Sequence, residues 1–287
     1  MENQTTMKPV SPQAERGFSL VELIVVIVLI GIIGGIFAMQ VLPAIRAYLV
    51  VGQRAALTGQ ADTALRRIVA DVRRAVPNSL RVSGTQCLEL VPSSDGGRYR
   101  NDQDYSAATP AGAFLDDGPN PKTVFDVLTQ PNKLPIAGDR IVIGNQNSND
   151  VHAGVSVGTV REAAVSTTPG VAAYSITLAA PGLRAPDGYT GARFTVVPGN
   201  EQTVAYVCDI NAGTLRRVTY PSLSQTPRCA ASGTAALVAT GVTACNFVFS
   251  ANQGATQQSG FVQLQLTLSG KGESVPLTLG AHVDNTP

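Results

Sequence analysis

From Phe18 to Leu42 the chain runs for twenty-five residues in which only Ser19, Glu22 and Gln40 are polar. As a helix rising about 1.5 Å per residue, this stretch is roughly 37 Å long and spans a bilayer. Glu22 is the feature that such a span does not explain. A lone carboxylate in hydrocarbon costs at least about 2.5 kcal/mol, so it either snorkels to the interface or answers to a partner. An ordinary secretory signal fits poorly, because its apolar region is about 7 to 15 residues and ends in a small-residue cleavage site. The preceding residues carry Glu2, Lys8, Glu15 and Arg16 among Pro9 and Pro12, so the local charges cancel and orientation is only weakly marked.

Pro43 follows the span directly and predicts a kink or an opened turn near Met39 to Pro43. Gly31, Gly34 and Gly35 weaken the helix further and allow close approach of other helices. Beyond Pro43, Ala61, Leu65, Ile68, Val72 and Val76 recur at steps of four and three, the spacing of one buried helical face. Asp62 with Arg66, and Arg67 with Asp71, are spaced for ion pairs on the opposite side. Pro77 is the expected stop. The chain therefore divides into an apolar span over 18–42, an amphipathic stalk helix over 43–77 and a head over 78–287.

Within the head the period changes to two. Cys87–Val91, Thr123–Val127, Arg140–Ile143, Tyr174–Leu178, Arg193–Val197, Thr203–Cys208 and Thr214–Tyr220 read as strands between turn residues. Val262, Leu264, Leu266 and Leu268 alternate with polar residues, Gly270–Glu273 turns the chain, and Val275, Leu277 and Leu279 alternate on the return, a terminal hairpin. A long helix followed by an antiparallel sheet is an α+β fold, with the amphipathic half of the helix laid on the sheet. With no Trp, the core is expected to rest on Val, Leu, Ile and Ala, and the stretches 92–122 and 144–172 are expected to be loops.

Composition excludes several functions. The net charge of +1 implies no general attraction to nucleic acid. Arg66, Arg67, Arg73 and Arg74 lack the interleaved aromatics of a base-stacking surface and read as a solvated helical face. Cys87, Cys208, Cys229 and Cys245 form no CxxC pair, which argues against zinc and for two disulfides in an oxidising compartment. Three connectivities are open. The hairpin-like return between Cys208 and Cys229 favours joining those two, which leaves Cys87 with Cys245. His152 and His282 sit in no nucleophile motif, so no catalysis is expected. The acidic run Asp95 to Asp104 lacks the glycine and terminal glutamate of a calcium loop, and Arg98 and Arg100 oppose a cation. Surface turns account for it, and neither metal nor cofactor is expected.

The string Arg16-Gly-Phe-Ser-Leu-Val-Glu-Leu23 resembles the class III signal of type IV prepilins and type II secretion pseudopilins. The resemblance implies a leader over 1–17, cut by a membrane-embedded prepilin peptidase between Gly17 and Phe18, and N-methylation of Phe18. A cationic amine so created lies one turn from Glu22. Pairing with it, in the same or a neighbouring subunit, would let Glu22 set the register of assembly. The segments Thr63–Val82, Gly96–Arg100, Val124–Leu128, Val242–Phe247 and Gly272–Pro287 resemble the O-type minor pilins of the mannose-sensitive haemagglutinin (MSHA) pilus. That likeness implies an inner-membrane, single-pass protein with a periplasmic head that later joins a filament at the cell surface. Its implied partners are other major and minor pilins, the peptidase and the inner-membrane assembly platform. The alternatives are a minor pseudopilin of a type II secretion system and a membrane-anchored periplasmic binding module.

Overall fold

The structure is a computed structural model that describes residues 17–105, 112–165, 174–230, 232–253 and 259–284. Residues 1–16 of the expected leader and parts of both expected loop regions lie outside these residues. The first helix, α1 (Leu20–Arg73), continues through Pro43 without an opened turn. Two compact units divide at Gly52. In the first, every described residue is exposed except half-buried Val41.

The second unit begins with the rest of α1. Leu57, Ala61, Ala64, Leu65, Ile68, Val69 and Val72 are its buried face, as the spacing predicts. The helix stops at Arg73, short of Pro77. Arg74 and Ala75 donate to Asp71 and Val72 in tightened turns, and Val76 then donates to the Val91 carbonyl, so sheet pairing captures the chain before the proline is reached.

The strands are β1 (Arg81–Ser83), β2 (Cys87–Leu90), β3 (Asp95–Arg98), β4 (Val124–Val127), β5 (Arg140–Ile143), β6 (Val157–Val165), β7 (Tyr174–Leu178), β8 (Arg193–Val197), β9 (Thr203–Asp209), β10 (Thr214–Tyr220), β11 (Thr234–Thr240), β12 (Val242–Gln253), β13 (Ser259–Gly270) and β14 (Glu273–Asp284), with a short helix α2 (Asp150–Ala153) before β6. A five-stranded sheet β1-β2-β9-β10-β11 and a three-stranded sheet β12-β13-β14 share one core with α1. Leu88 and Leu90 of β2, Val204 and Tyr206 of β9, Phe247 of β12 and Leu264 and Leu266 of β13 meet the helix residues there. Gly241, with a φ of +69°, makes the one-residue turn from β11 to β12, where its backbone closes on the Ser269 carbonyl.

The strands β2 and β9 are direct neighbours, pairing from Cys87↔Val207 to Leu90↔Val204. Everything from Val91 to Gln202 is thus inserted between two adjacent strands. That insertion is a second body: an antiparallel sheet of order β3-β8-β5-β6-β7-β4. Tyr99 bridges Val127, Leu128 donates to the Arg98 carbonyl and Arg100 to the Asp126 carbonyl, so the first and last strands join and the sheet closes into a six-stranded barrel. Its interior is filled, with Phe125 edge-on to both Tyr99 and Phe194. Aromatics therefore centre this core, contrary to the expectation of an aliphatic one. The expected loop over 144–172 contains α2 and β6, and Asp95–Arg98 is strand β3 rather than a surface turn.

The cysteines pair as Cys87–Cys229 and Cys208–Cys245, which overturns the favoured pairing. Side-chain alternation is the reason. Cys208 shares the core-facing row of β9 with Val204 and Tyr206, and from there meets Cys245 of β12. Cys87 lies on the opposite face of the sheet and pins the segment that follows β10.

Candidate functional site

Gly17, Phe18 and Ser19 are non-helical and exposed immediately before α1, with Phe18 78% accessible. The Glu22 backbone N–H donates to Ser19 Oγ at 3.2 Å, and Leu23 N–H to the Ser19 carbonyl at 3.2 Å. Ser19 is thus the N-cap, and Ser19-x-x-Glu22 has the spacing of a capping box. The reading from sequence missed this local role, although the Ser-x-x-Glu pattern was there to find it. Glu22 also places negative charge at the positive end of the helix dipole. Gly17 and Phe18 immediately precede α1 and Glu22 lies in its first turn, so the peptide bond between Gly17 and Phe18 is outside the helix and exposed. None of these groups has catalytic chemistry of its own.

Further along α1, Asp62 pairs with Arg66 at 2.7 Å as expected, but Arg67 and Asp71 do not pair. Asp71 turns inward. It accepts from Arg217 Nε at 2.7 Å and from the Tyr206 hydroxyl at 2.8 Å, and Arg217 also donates to Glu201. Burial, then the Asp71 charge, pushes the Tyr206 hydroxyl well above its ordinary value. Arg74 reaches Asp71 only at 3.6 Å and stays exposed.

A buried polar cluster marks the seam between barrel and sheet. Glu89 on β2, 1% exposed, accepts twice from Arg81 of β1 and once from the Arg228 backbone N–H. His152 of α2, with a fully buried side chain, holds Nε2 2.8 Å from the Ser79 carbonyl, so this nitrogen carries the proton. Its Nδ1 lone pair then faces Glu89 at 3.6 Å without a hydrogen bond. Asn145 and Asn78 exchange side-chain donations with the Pro77 and Asn145 carbonyls across the same seam. Nothing here resembles a nucleophile or a proton relay open to substrate.

Burial, reinforced by the Arg81 charge, holds the His152 pKa below its ordinary value, although Ser79 and Glu89 pull the other way. The native state therefore binds fewer protons than the unfolded chain below about pH 6.5, and stability falls as pH drops through that value towards the depressed native one. Melting temperature is expected to decline from pH 7 to pH 5 in the wild type, and to decline less in His152→Gln.

Asp95 accepts from the Gly96 and Lys133 backbone N–H groups and from Asn132. Burial opposes ionisation, but these donors outweigh it and lower the Asp95 pKa, which marks a structural carboxylate already satisfied. Asp104 lies 3.9 Å from Arg100. Among the described residues no three His, Cys, Asp or Glu side chains converge as a metal site. An open cleft of about 520 Å³ includes Lys133, Ile136 and Asp139. Asp139 there accepts from the Ile136 and Gly199 backbones, again a structural role. His282 packs edge-on against Phe261.

Residues 12–38 match the model of the prokaryotic N-terminal methylation motif. The comparisons with curated proteins and with solved structures returned no match. The matched stretch ends within α1, the one helix among the described residues long and apolar enough to cross a membrane. Motif and helix together support a membrane-anchored subunit of the pilin or pseudopilin kind.

Proposed function

We propose that this chain is a precursor of a minor pilin. It is cut between Gly17 and Phe18, N-methylated on Phe18, held in the inner membrane by residues 18–42 with its head in the periplasm, and then added to a type IV filament of the MSHA kind. It acts by packing and not by catalysis. The observation that carries the reading is the coincidence of the methylation motif with a Ser19-capped apolar stretch at the start of α1 whose residues 18–40 are exposed. Such a helix exchanges lipid for neighbouring helices on assembly, and Glu22, with the new Phe18 amine, sets its register. The MSHA assignment draws on the head segments that resemble O-type minor pilins.

A minor pseudopilin of a type II secretion system shares every N-terminal residue invoked. Deleting the chain separates the two. Loss of surface pili with unchanged secretion of folded proteins is expected, and the reverse pattern would assign the chain to secretion.

A further inference from the structure

The four cysteines are sorted by face. Cys208 and Cys245 lie in the core that the two sheets share with α1. Cys87 pairs with Val207, one residue before Cys208, and so points to the opposite face of its sheet, where Cys229 meets it. In chain order the bonds join the first cysteine to the third and the second to the fourth, so they interleave. Each of the four wrong pairs therefore links a core cysteine to one on the outer face. Cys87 with Cys208 shows the consequence. The two are diagonal neighbours, since Cys208 donates its N–H to the Gln86 carbonyl. To bridge them, β9 must slip by one residue against β2, which turns Val204 and Tyr206 out of the core. A wrong bond is thus incompatible with the folded sheet.

Chance favours the wrong bonds. The native loops span 142 and 37 residues, while Cys229 lies only sixteen residues from Cys245 and twenty-one from Cys208. Loop closure in an unfolded chain falls roughly as the three-halves power of loop length. Random oxidation therefore gives both native pairs in about one chain in seven, and Cys87–Cys208 with Cys229–Cys245 in about three in five. The contact that guides Cys87 to its partner forms slowly, because β2 and β9 are separated in sequence by the whole inserted barrel.

We propose that this chain depends on a second protein, a thiol–disulfide isomerase, to reach its native bonds, and that Cys229 is the sulfur through which the wrong bonds are exchanged. In the commonest wrong isomer no thiol is left, so an outside thiolate must start the exchange. The isomerase thiolate attacks the Cys245 sulfur, forms a mixed disulfide and releases the Cys229 thiolate. Cys229 attacks the Cys87 sulfur and displaces the Cys208 thiolate. Cys208 then attacks the Cys245 sulfur and returns the isomerase thiolate. Three sulfur–sulfur bonds break and three form, nothing is oxidised or reduced overall, and one isomerase serves many chains. The proposal rests on the pilin reading only for the oxidising compartment in which the head folds.

The test starts from the full chain, reduced and unfolded in urea. It is diluted into detergent with diamide, an oxidant that releases no thiol. The oxidant is removed, a catalytic amount of a purified, reduced thiol–disulfide isomerase is added or withheld, and the bonds are mapped by mass spectrometry of peptides from the alkylated chain. Without the isomerase the native pairs are expected in about one chain in seven, and with it they rise about sevenfold, to nearly all chains. Cys229→Ser removes both short wrong loops, so Cys208–Cys245 is expected in about four chains in five with no isomerase present. The assay involves neither a membrane nor processing at Gly17, so its failure is distinct from failure of the pilin reading. Three results would overturn the proposal: native pairs in most wild-type chains without the isomerase, no rise when it is added, or Cys229→Ser chains that are mispaired as often as the wild type.

Discussion

Glu89→Ala is expected to destabilise the head by about 3 to 5 kcal/mol, the cost of breaking a buried ion pair from one side. The Arg81 side chain is 11% exposed and directs two donors at Glu89. Its remaining donations, to the Ser224 and Gln225 carbonyls, tie down the segment after β10 but do not neutralise its charge. The substitution also frees the Arg228 N–H and removes the one carboxylate facing His152. Replacing Arg81 and Glu89 together by apolar residues of similar size is expected to recover most of the loss, because the uncompensated charge then disappears. Urea unfolding of the full chain in detergent measures both. A loss below about 1 kcal/mol for the single variant, as at an exposed pair, would show that the cluster is solvated.

Glu22→Ala is expected to leave membrane insertion and cleavage intact and to reduce incorporation into filaments by about a hundredfold or more, if a buried partner is lost. The capping geometry supplies the control. Glu22→Gln retains a side chain able to complete the capping box but carries no charge. If Glu22 matters as an ion-pair partner of a Phe18 amine, Gln behaves like Ala. If it matters only as part of the cap, Gln behaves like the wild type. The fraction of mature chain in sheared filaments, relative to the membrane pool, distinguishes these outcomes.

Much of this architecture is written in local periodicity. The buried helical face from Ala61 to Val72 and the terminal hairpin from Phe261 to Leu279 follow from spacing alone, because each element is amphipathic against one neighbour, whereas Val76, on the same spacing, lies beyond the helix and pairs with Val91. What escaped the sequence is non-local. The adjacency of β2 and β9 across a whole inserted barrel leaves no periodic trace, since the two strands read the same whether paired or apart. Helical spacing places Asp71 with Arg67, yet it faces inward, because the buried Arg217 and Tyr206 offer it two donors where the surface offers one. The apparent return of a hairpin favours Cys208 with Cys229, but the face of the strand each side chain occupies decides the pairing. At the candidate site the order was reversed. The expectations at Gly17, Phe18 and Glu22 rest on one contiguous string, and the Ser19-x-x-Glu22 cap is written in the same string.

The most direct test of the pilin reading is the intact mass and N-terminal analysis of the membrane-extracted chain, from cells with and without the prepilin peptidase. The account predicts a chain that begins at N-methylated Phe18 only when the peptidase is present, and the uncut precursor when it is absent. A chain that still begins at Met1 in both cells, or one cut beyond Leu42, would contradict it and leave a membrane-anchored or secreted binding module in its place.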